Sequence, residues 1–316
     1  MPGSQLTYSL THSAQIEKPL CYSAESTLGT LVTASPTYTA VAVVGQISPK
    51  INIMEIPVRQ IGSHYEYGRV TAGHAYTFSL NVNPFALPFL KYGSEPPNYT
   101  TPTGTQAESL SFLLQYKQAL GTAQLVSHQQ FYLGCKMNQL TLSVSSQGLL
   151  EATTDWIARE ITVPVLTSAN TLTTPTIPTF ASITTPPISN IDSGNLPLTI
   201  NSVAYAADNF TISWNNNLIA ESFIGSGLID ALTTGAVEIT GSFVTPIGQS
   251  LALETVMHDF PQTGVTAKFT FKTSTMVVTM TNFKFLDDDT PWSQGPTDTT
   301  KNTVNFSCST ATLATS

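Results

Sequence analysis

Five histidines, a run of three aspartates and three cysteines carry the most reactive side chains of this 316-residue chain. Their spacing decides what they could do. Only His64, Glu66 and His74 lie close enough in sequence to suggest a metal site, because imidazole and carboxylate both suit a divalent ion; the simpler reading is of residues on a turn or strand surface. Asp287, Asp288 and Asp289 in "LDDDTPW" offer the hard oxygens that calcium prefers, but they lack the spaced Asp, Asn and Gly pattern of a dedicated loop, so the run reads as a solvated turn. No nucleophile comes with an identifiable base and orienting partner. Phosphate-binding glycine loops, H-E-x-x-H and G-x-S-x-G are all missing from the sequence. The expectation is therefore a protein that is not an enzyme, with no catalytic, cofactor-binding or metal-binding residues. Two polar sets show a different regularity. Glu151, Thr153 and Asp155, and likewise Glu238, Thr240 and Ser242, alternate with other residues at a spacing of two, which marks one face of a strand rather than a reactive constellation.

Those faces need strands to carry them, and period-two alternation recurs along the whole chain. "NQLTLSVS" sets Leu140, Leu142 and Val144 against Gln139, Thr141 and Ser143. After a turn at Gln147 and Gly148, "LLEATTDWI" returns with Leu150, Ala152 and Trp156 opposite the first polar set. The pair reads as a long hairpin. Phe210, Ile212 and Trp214 repeat the pattern, as do Val237, Ile239 and Phe243, and then Phe269 and Phe271; Lys268 and Lys272 share the polar side of that last strand. One helix is expected at about Gln106 to Leu120, where Thr105 and Glu108 have capping-box spacing, Leu110, Leu113, Leu114 and Leu120 form a stripe, and Gly121 follows. The reading is all-β with one helix. A Thr-, Pro- and Ser-rich segment, Thr167 to Pro197, separates an N-terminal β-rich half (1–166) from a C-terminal one (198–316). Its length suggests a linker, or an arm that contacts a neighbouring subunit, and the two halves could still form one domain.

Composition narrows the class. Charged residues make up 10% of the chain and the formal net charge is -8, so the surface is built from Thr, Ser and Asn and suits burial against neighbours. No Lys or Arg occurs between Arg159 and Lys268, a stretch with eight acids. That argues against a nucleic-acid gripping face, which needs clustered cations. Cys21, Cys135 and Cys308 cannot all pair within one chain and read as free thiols of a reducing compartment. The N-terminal residues resemble no signal peptide, and no run is long and apolar enough to span a membrane, so neither export nor insertion is expected.

Three blocks together resemble the tail tube (major tail) proteins of tailed bacteriophages and archaeal viruses. The first, Ile56 to Ser94, carries Arg59, Gly62, Gly73, Phe78 and Leu80 and an apolar helix-like run ending in Tyr92 and Gly93. The second, Gly134 to Ile157, carries Asn138, Leu140, Leu142, Gly148, Glu151 and Asp155. The third, Asp208 to Val244, has the asparagine-rich turn before Leu218, then Gly225 and "GAVEITGSF". The resemblance implies a β-sandwich or partly closed barrel, similar to the type VI secretion tube protein, with a long hairpin joining a ring barrel. It also implies hexameric rings stacked into a tube, contact with other tail proteins, assembly in the host cytoplasm, a place in the virion tail and passage of DNA without specific binding. On that footing Glu151, Thr153, Asp155, Glu238, Thr240 and Ser242 are the candidate channel-lining residues. The alternatives are a β-sandwich adhesin or carbohydrate-binding module, and a capsid or tail decoration protein. An exposed aromatic platform would favour the carbohydrate reading, yet Trp156 and Trp214 continue apolar strand faces; Trp292 is the one exposed candidate.

Overall fold

A computed structural model describes residues 14–16, 20–25, 27–29, 38–41, 43–59, 66–84, 87–94, 109–120, 124–146, 148–162, 197–222, 228–246, 253, 264–271, 276–289 and 301–314. Strands dominate because alternating β-branched, aromatic and hydroxyl residues fit a pleated surface that is buried on one side. In chain order the N-terminal strands are β1 (Ala14–Ile16), β2 (Cys21–Glu25), β3 (Thr39–Ala40), β4 (Val43–Arg59) and β5 (Glu66–Asn83). Helix α1 (Leu87–Ser94) follows, then β6 (Ser109–Leu120), β7 (Gln124–Ser145), β8 (Glu151–Ala158) and β9 (Glu160–Thr162). The remainder comprises β10 (Leu198–Ile200), β11 (Val203–Tyr205), β12 (Asn209–Asn215), β13 (Ile219–Glu221), β14 (Ala231–Thr233), β15 (Glu238–Pro246), β16 (Thr266–Thr270), β17 (Val277–Thr281), β18 (Lys284–Asp289), β19 (Lys301–Cys308) and β20 (Thr310–Ala314).

The main sheet runs in the order β4-β5-β8-β7-β12-β15-β19-β18, antiparallel throughout. Strand β7 joins the two halves of the chain: its C-terminal part pairs with β12 from Asn209↔Ser145 to Asn215↔Gln139. Its N-terminal part leaves the main sheet and pairs instead with β6 and β9, beside β2, β3 and β1. A second sheet, β11-β10-β16-β17-β20, packs across the apolar face of the first. The Phe210 ring stacks on Phe269 at 4.0 Å, and Trp214 Nε1 donates to the Ala311 carbonyl at 3.1 Å. The architecture is a β-sandwich of open sheets; among the described residues no sheet closes into a barrel.

The aromatic core at the N-terminal side centres on Trp156. Phe112 meets it edge-on at 4.8 Å, Phe78 stacks at 6.0 Å, and Phe89 and Tyr92 of α1 lie at 5.7 and 5.8 Å. Such offset and edge contacts suit the ring quadrupoles. Helix α1 sits so close to β7 that a Cβ on Gly93 would fall 2.1 Å from Met137 Sδ. Buried Asn216 then ties the helix end to the sheet, since its Nδ2 donates to the Gly93 carbonyl at 3.1 Å and to the Met137 carbonyl at 2.8 Å.

Three expectations change. Residues Ser109–Leu120 form strand β6, not a helix, and the helix is Leu87–Ser94. β6 is buried on both sides at its start: Leu110 and Phe112 join the aromatic core, while Leu113 packs with Cys21, Tyr38, Phe131 and Leu133 on the opposite side. A strand covered on both faces shows an apolar run that imitates a helical stripe. The aspartate run is no turn, because Asp287, Asp288 and Asp289 end β18 and pair with β19. Val237 precedes β15 and is exposed, whereas Ile239 and Phe243 are buried as the alternation requires. Lys268 lies on the outer face of the second sheet, between Thr199 and Thr279. The segment Thr167–Pro197 falls outside the described residues except for Pro197, as do Thr105, Glu108, Gly121, Gly225, Lys272 and Trp292.

Two outcomes follow from this packing. Trp156 is 1% exposed, and Trp156→Ala is expected to cost on the order of 3 to 5 kcal/mol in denaturant unfolding. Cys21, Cys135 and Cys308 are unbridged. Burial pushes the Cys135 thiol well above its ordinary range, and burial pushes Cys308 up to about 12. Thiolate, not thiol, is the nucleophile, so a disulfide reagent at mildly alkaline pH should leave the native protein almost untouched and titrate all three thiols once guanidinium unfolds it.

Candidate functional site

Strands that alternate in register send their polar residues to one side, and here seven neighbouring strands do so together. One row runs Ser79, Asp155, Gln139, Asn215, Glu238. The next runs Asn81, Thr153, Thr141, Ser213, Thr240, Ser307, Lys284. The third runs Glu151, Ser143, Thr211, Ser242, Asn305, Asp287. With strands about 4.8 Å apart, the face spans roughly 30 Å across the sheet. All six candidate residues lie on it. Glu151, Thr153, Glu238 and Thr240 are exposed, while Asp155 and Ser242 are half-buried. The sequence assigned them to two separate hairpins; β7 and β12 between those hairpins make them one surface.

Side-chain hydrogen bonds stitch the rows across the strands. Ser79 Oγ donates to Asp155 Oδ1 at 2.5 Å, Gln139 Nε2 donates to Ser213 Oγ at 3.1 Å, and the Thr141 and Ser213 hydroxyls meet at 3.0 Å. Asn305 Nδ2 donates to Asp287 Oδ1 at 2.5 Å. Cross-strand polar pairs of this kind contribute roughly 0.2 to 1 kcal/mol each, so the lattice stiffens the face more than it stabilises the fold.

Glu151, Asp155 and Glu238 stand inside the sheet on β8 and β15, while Asp287 stands on the β18 margin beside Lys284. Lys50, exposed and opposite Thr77, stands at the β4 margin, and Lys284 and Lys301 stand near the β18 margin. Lys301 is engaged with Asp208 at 2.5 Å. At one end the face is covered: Leu232 of β14 and Ile229 pack over Ile157, and Lys136 Nζ donates to the Leu232 carbonyl at 2.8 Å.

Sequence reasoning missed Ser79, Asn81, Thr211, Ser213, Asn305, Ser307 and Asp287 as members of the face. The signal was present in "DNFTISWN" and in "KNTVNFSC", whose odd-numbered polar residues alternate with buried Val304 and Phe306. For the metal reading, His64 lies outside the described residues, and His74 stacks on Tyr76 at 6.3 Å. Among the described residues no group of three His, Cys, Asp or Glu side chains could hold a metal ion.

The Ser79–Asp155 bond gives a direct check on the lattice. Hydrogen bonds to charged groups contribute more than neutral ones, so Ser79→Ala is expected to lower unfolding stability by about 1 to 2 kcal/mol, with near-native circular dichroism.

The sequence model of the phage tail tube protein family matches residues 1–313, and the chain belongs to that family. No curated protein matches it. Family membership makes the chain a structural protein of the virion tail that assembles with itself and with other tail proteins.

Proposed function

We propose that this tail tube protein polymerises as hexameric rings, that the rings stack into a tube, and that the polar face of the main sheet lines the channel through which DNA leaves the virion. The observation that carries the reading is the continuity of that face: three rows of hydroxyl, amide and carboxylate groups cross the sheet, with no large apolar side chain among them. A channel for DNA needs a wetted wall without adhesive sites. Hydroxyls and amides supply the wetting. Glu151, Asp155 and Glu238 supply the repulsion, since carboxylates repeated around a narrow bore sum to a strong negative potential that low-dielectric walls focus.

The cations fit the same arrangement. Lys50, Lys284 and Lys301 stand at the margins of the face, where adjacent subunits would meet, and Lys268 belongs to the other sheet, away from the bore. The unbridged cysteines suit assembly in the reducing host cytoplasm. The burial of Trp156 and Trp214 at 1% and 0% removes both from any sugar-binding platform.

Reversing Glu151, Asp155 and Glu238 to Lys tests the assignment. Tubes should still form, because these side chains lie on the wetted face and not in the core. Virions carrying them should eject DNA slowly or incompletely, and the defect should ease as salt rises, because phosphate binding to lysine is salt-dependent. Ejection at the native rate from well-formed tubes would overturn the lumen assignment and leave the tube assignment standing.

A further inference from the structure

The channel reading makes no use of a carboxylate buried on the far side of the N-terminal sheet. Glu25, fully buried at the end of β2, accepts from three donors on three different segments. Ser109 Oγ of β6 donates at 2.5 Å, the Gly134 amide of β7 at 3.1 Å, and the Gly29 amide of the following turn at 3.0 Å. Arg159, between β8 and β9, closes the cluster: its Nη1 donates to the Leu28 carbonyl at 2.9 Å, and its amide donates to the Leu133 carbonyl at 3.0 Å. Burial raises the Glu25 carboxyl above its ordinary range, against the lowering pull of Ser109, the two amides and Arg159.

Two glycines make the grip possible. Gly29 and Gly134 have φ of 70° and 63°, a region that favours glycine, and an added Cβ would fall 2.6 and 2.8 Å from Arg159 carbons. Gly134 lies where the β6–β7 register slips between Leu110 and Phe112. A bulge leaves an amide without a ladder partner, and here that amide turns to Glu25. Beyond the grip, the hairpin loses its neighbours. The β2 pairing ends at Leu113 and the β9 pairing at Phe131, so Leu114–Leu120 with Gln124–Gln130 continue with β1 alone beside them among the described strands.

We propose that Glu25 is a conformational latch for this hairpin: one carboxylate holds both strands at the base, Ser109 on one and the Gly134 bulge on the other, and fixes the direction in which the outer half departs. A buried carboxylate with three converging donors is costly to place in a sheet unless its position matters, because desolvation penalises it throughout. The hinge it grips is the point where β7 passes from the N-terminal sheet to the main sheet. The inference concerns the single chain and does not depend on how rings form.

Hydrogen exchange on the soluble subunit tests it. In Glu25→Ala, amides of 114–120 and 124–130 should exchange roughly ten- to a hundredfold faster, the range expected from losing hydrogen bonds to a charged group. Amides of β12 and β15 should stay within about twofold of wild type. Glu25→Gln, which keeps the length and one acceptor, should fall between the two. Ser109→Ala removes a single donor and should raise the same amides by a smaller factor, and it carries the test alone if Glu25→Ala does not fold. Unchanged exchange in the outer hairpin of these variants, or an equal rise in β12 and β15, would overturn the latch.

Discussion

The register between β7 and β12 is the constraint on which the sandwich and its polar face both depend. Side chains in a strand alternate with a period of two, so a slip of one residue would carry Leu140, Leu142 and Val144 to the wet side and bury Gln139, Thr141 and Ser143. From Asn209↔Ser145 to Asn215↔Gln139 the pairing holds without a break. On one side it stacks Phe210, Ile212 and Trp214 against the second sheet; on the other it sets Thr211 and Ser213 between two acidic hairpins. Because this is also the junction of the two halves of the chain, the core of each half is completed only when the other is in register.

The two faces of the main sheet are held by different physics, and this explains a composition so poor in charge. The inner face relies on aromatic packing, with Phe210, Phe243, Phe283 and Phe306 in ring contact at 4.8 to 6.2 Å. Gly241 opens the space for one of those rings: a Cβ there would lie 2.4 Å from Phe306 Cζ. The outer face gains little stability from its hydroxyl and amide pairs, so it is free to be shaped by what it must present. Ser, Thr and Asn hydrate a surface without the long flexible stems of Lys and Arg, which would offer phosphate-binding groups.

The alternation of "NQLTLSVS", "LLEATTDWI", "NFTISWN" and "EITGSFV" was legible because each of these strands has one buried and one wet face, and the six candidate residues could be assigned to a face on that ground alone. β6 was not legible, since burial on both sides erases the two-residue period. Helix α1 is too short to show a stripe of its own, although the apolar run ending in Tyr92 and Gly93 marked its place. The union of the two acidic hairpins could not be read either, because it depends on β7 and β12 pairing across 64 residues of chain from Ser145 to Asn209. The role of Asn216 was hidden for a related reason. An asparagine run suggests a solvated turn, yet this one is buried and takes its partners from the end of α1 and from β7.

Among the described residues the main sheet ends at β4 and at β18, and a neighbouring copy has to meet it at these edges or on its faces. Both edges carry features that discourage indiscriminate strand addition. At β18 the register shifts between Phe285 and Asp287, leaving Leu286 60% exposed as the extra residue, and Asp287 follows it. At β4, Pro49 and Pro57 stand opposite Phe78 and Arg69. Proline has no amide to give the ladder, so both are tolerated only where the backbone points away from β5; they lie eight residues apart and therefore on the same, open side. A strand added at this edge would lose ladder bonds at both prolines, which limits indiscriminate pairing of the free subunit.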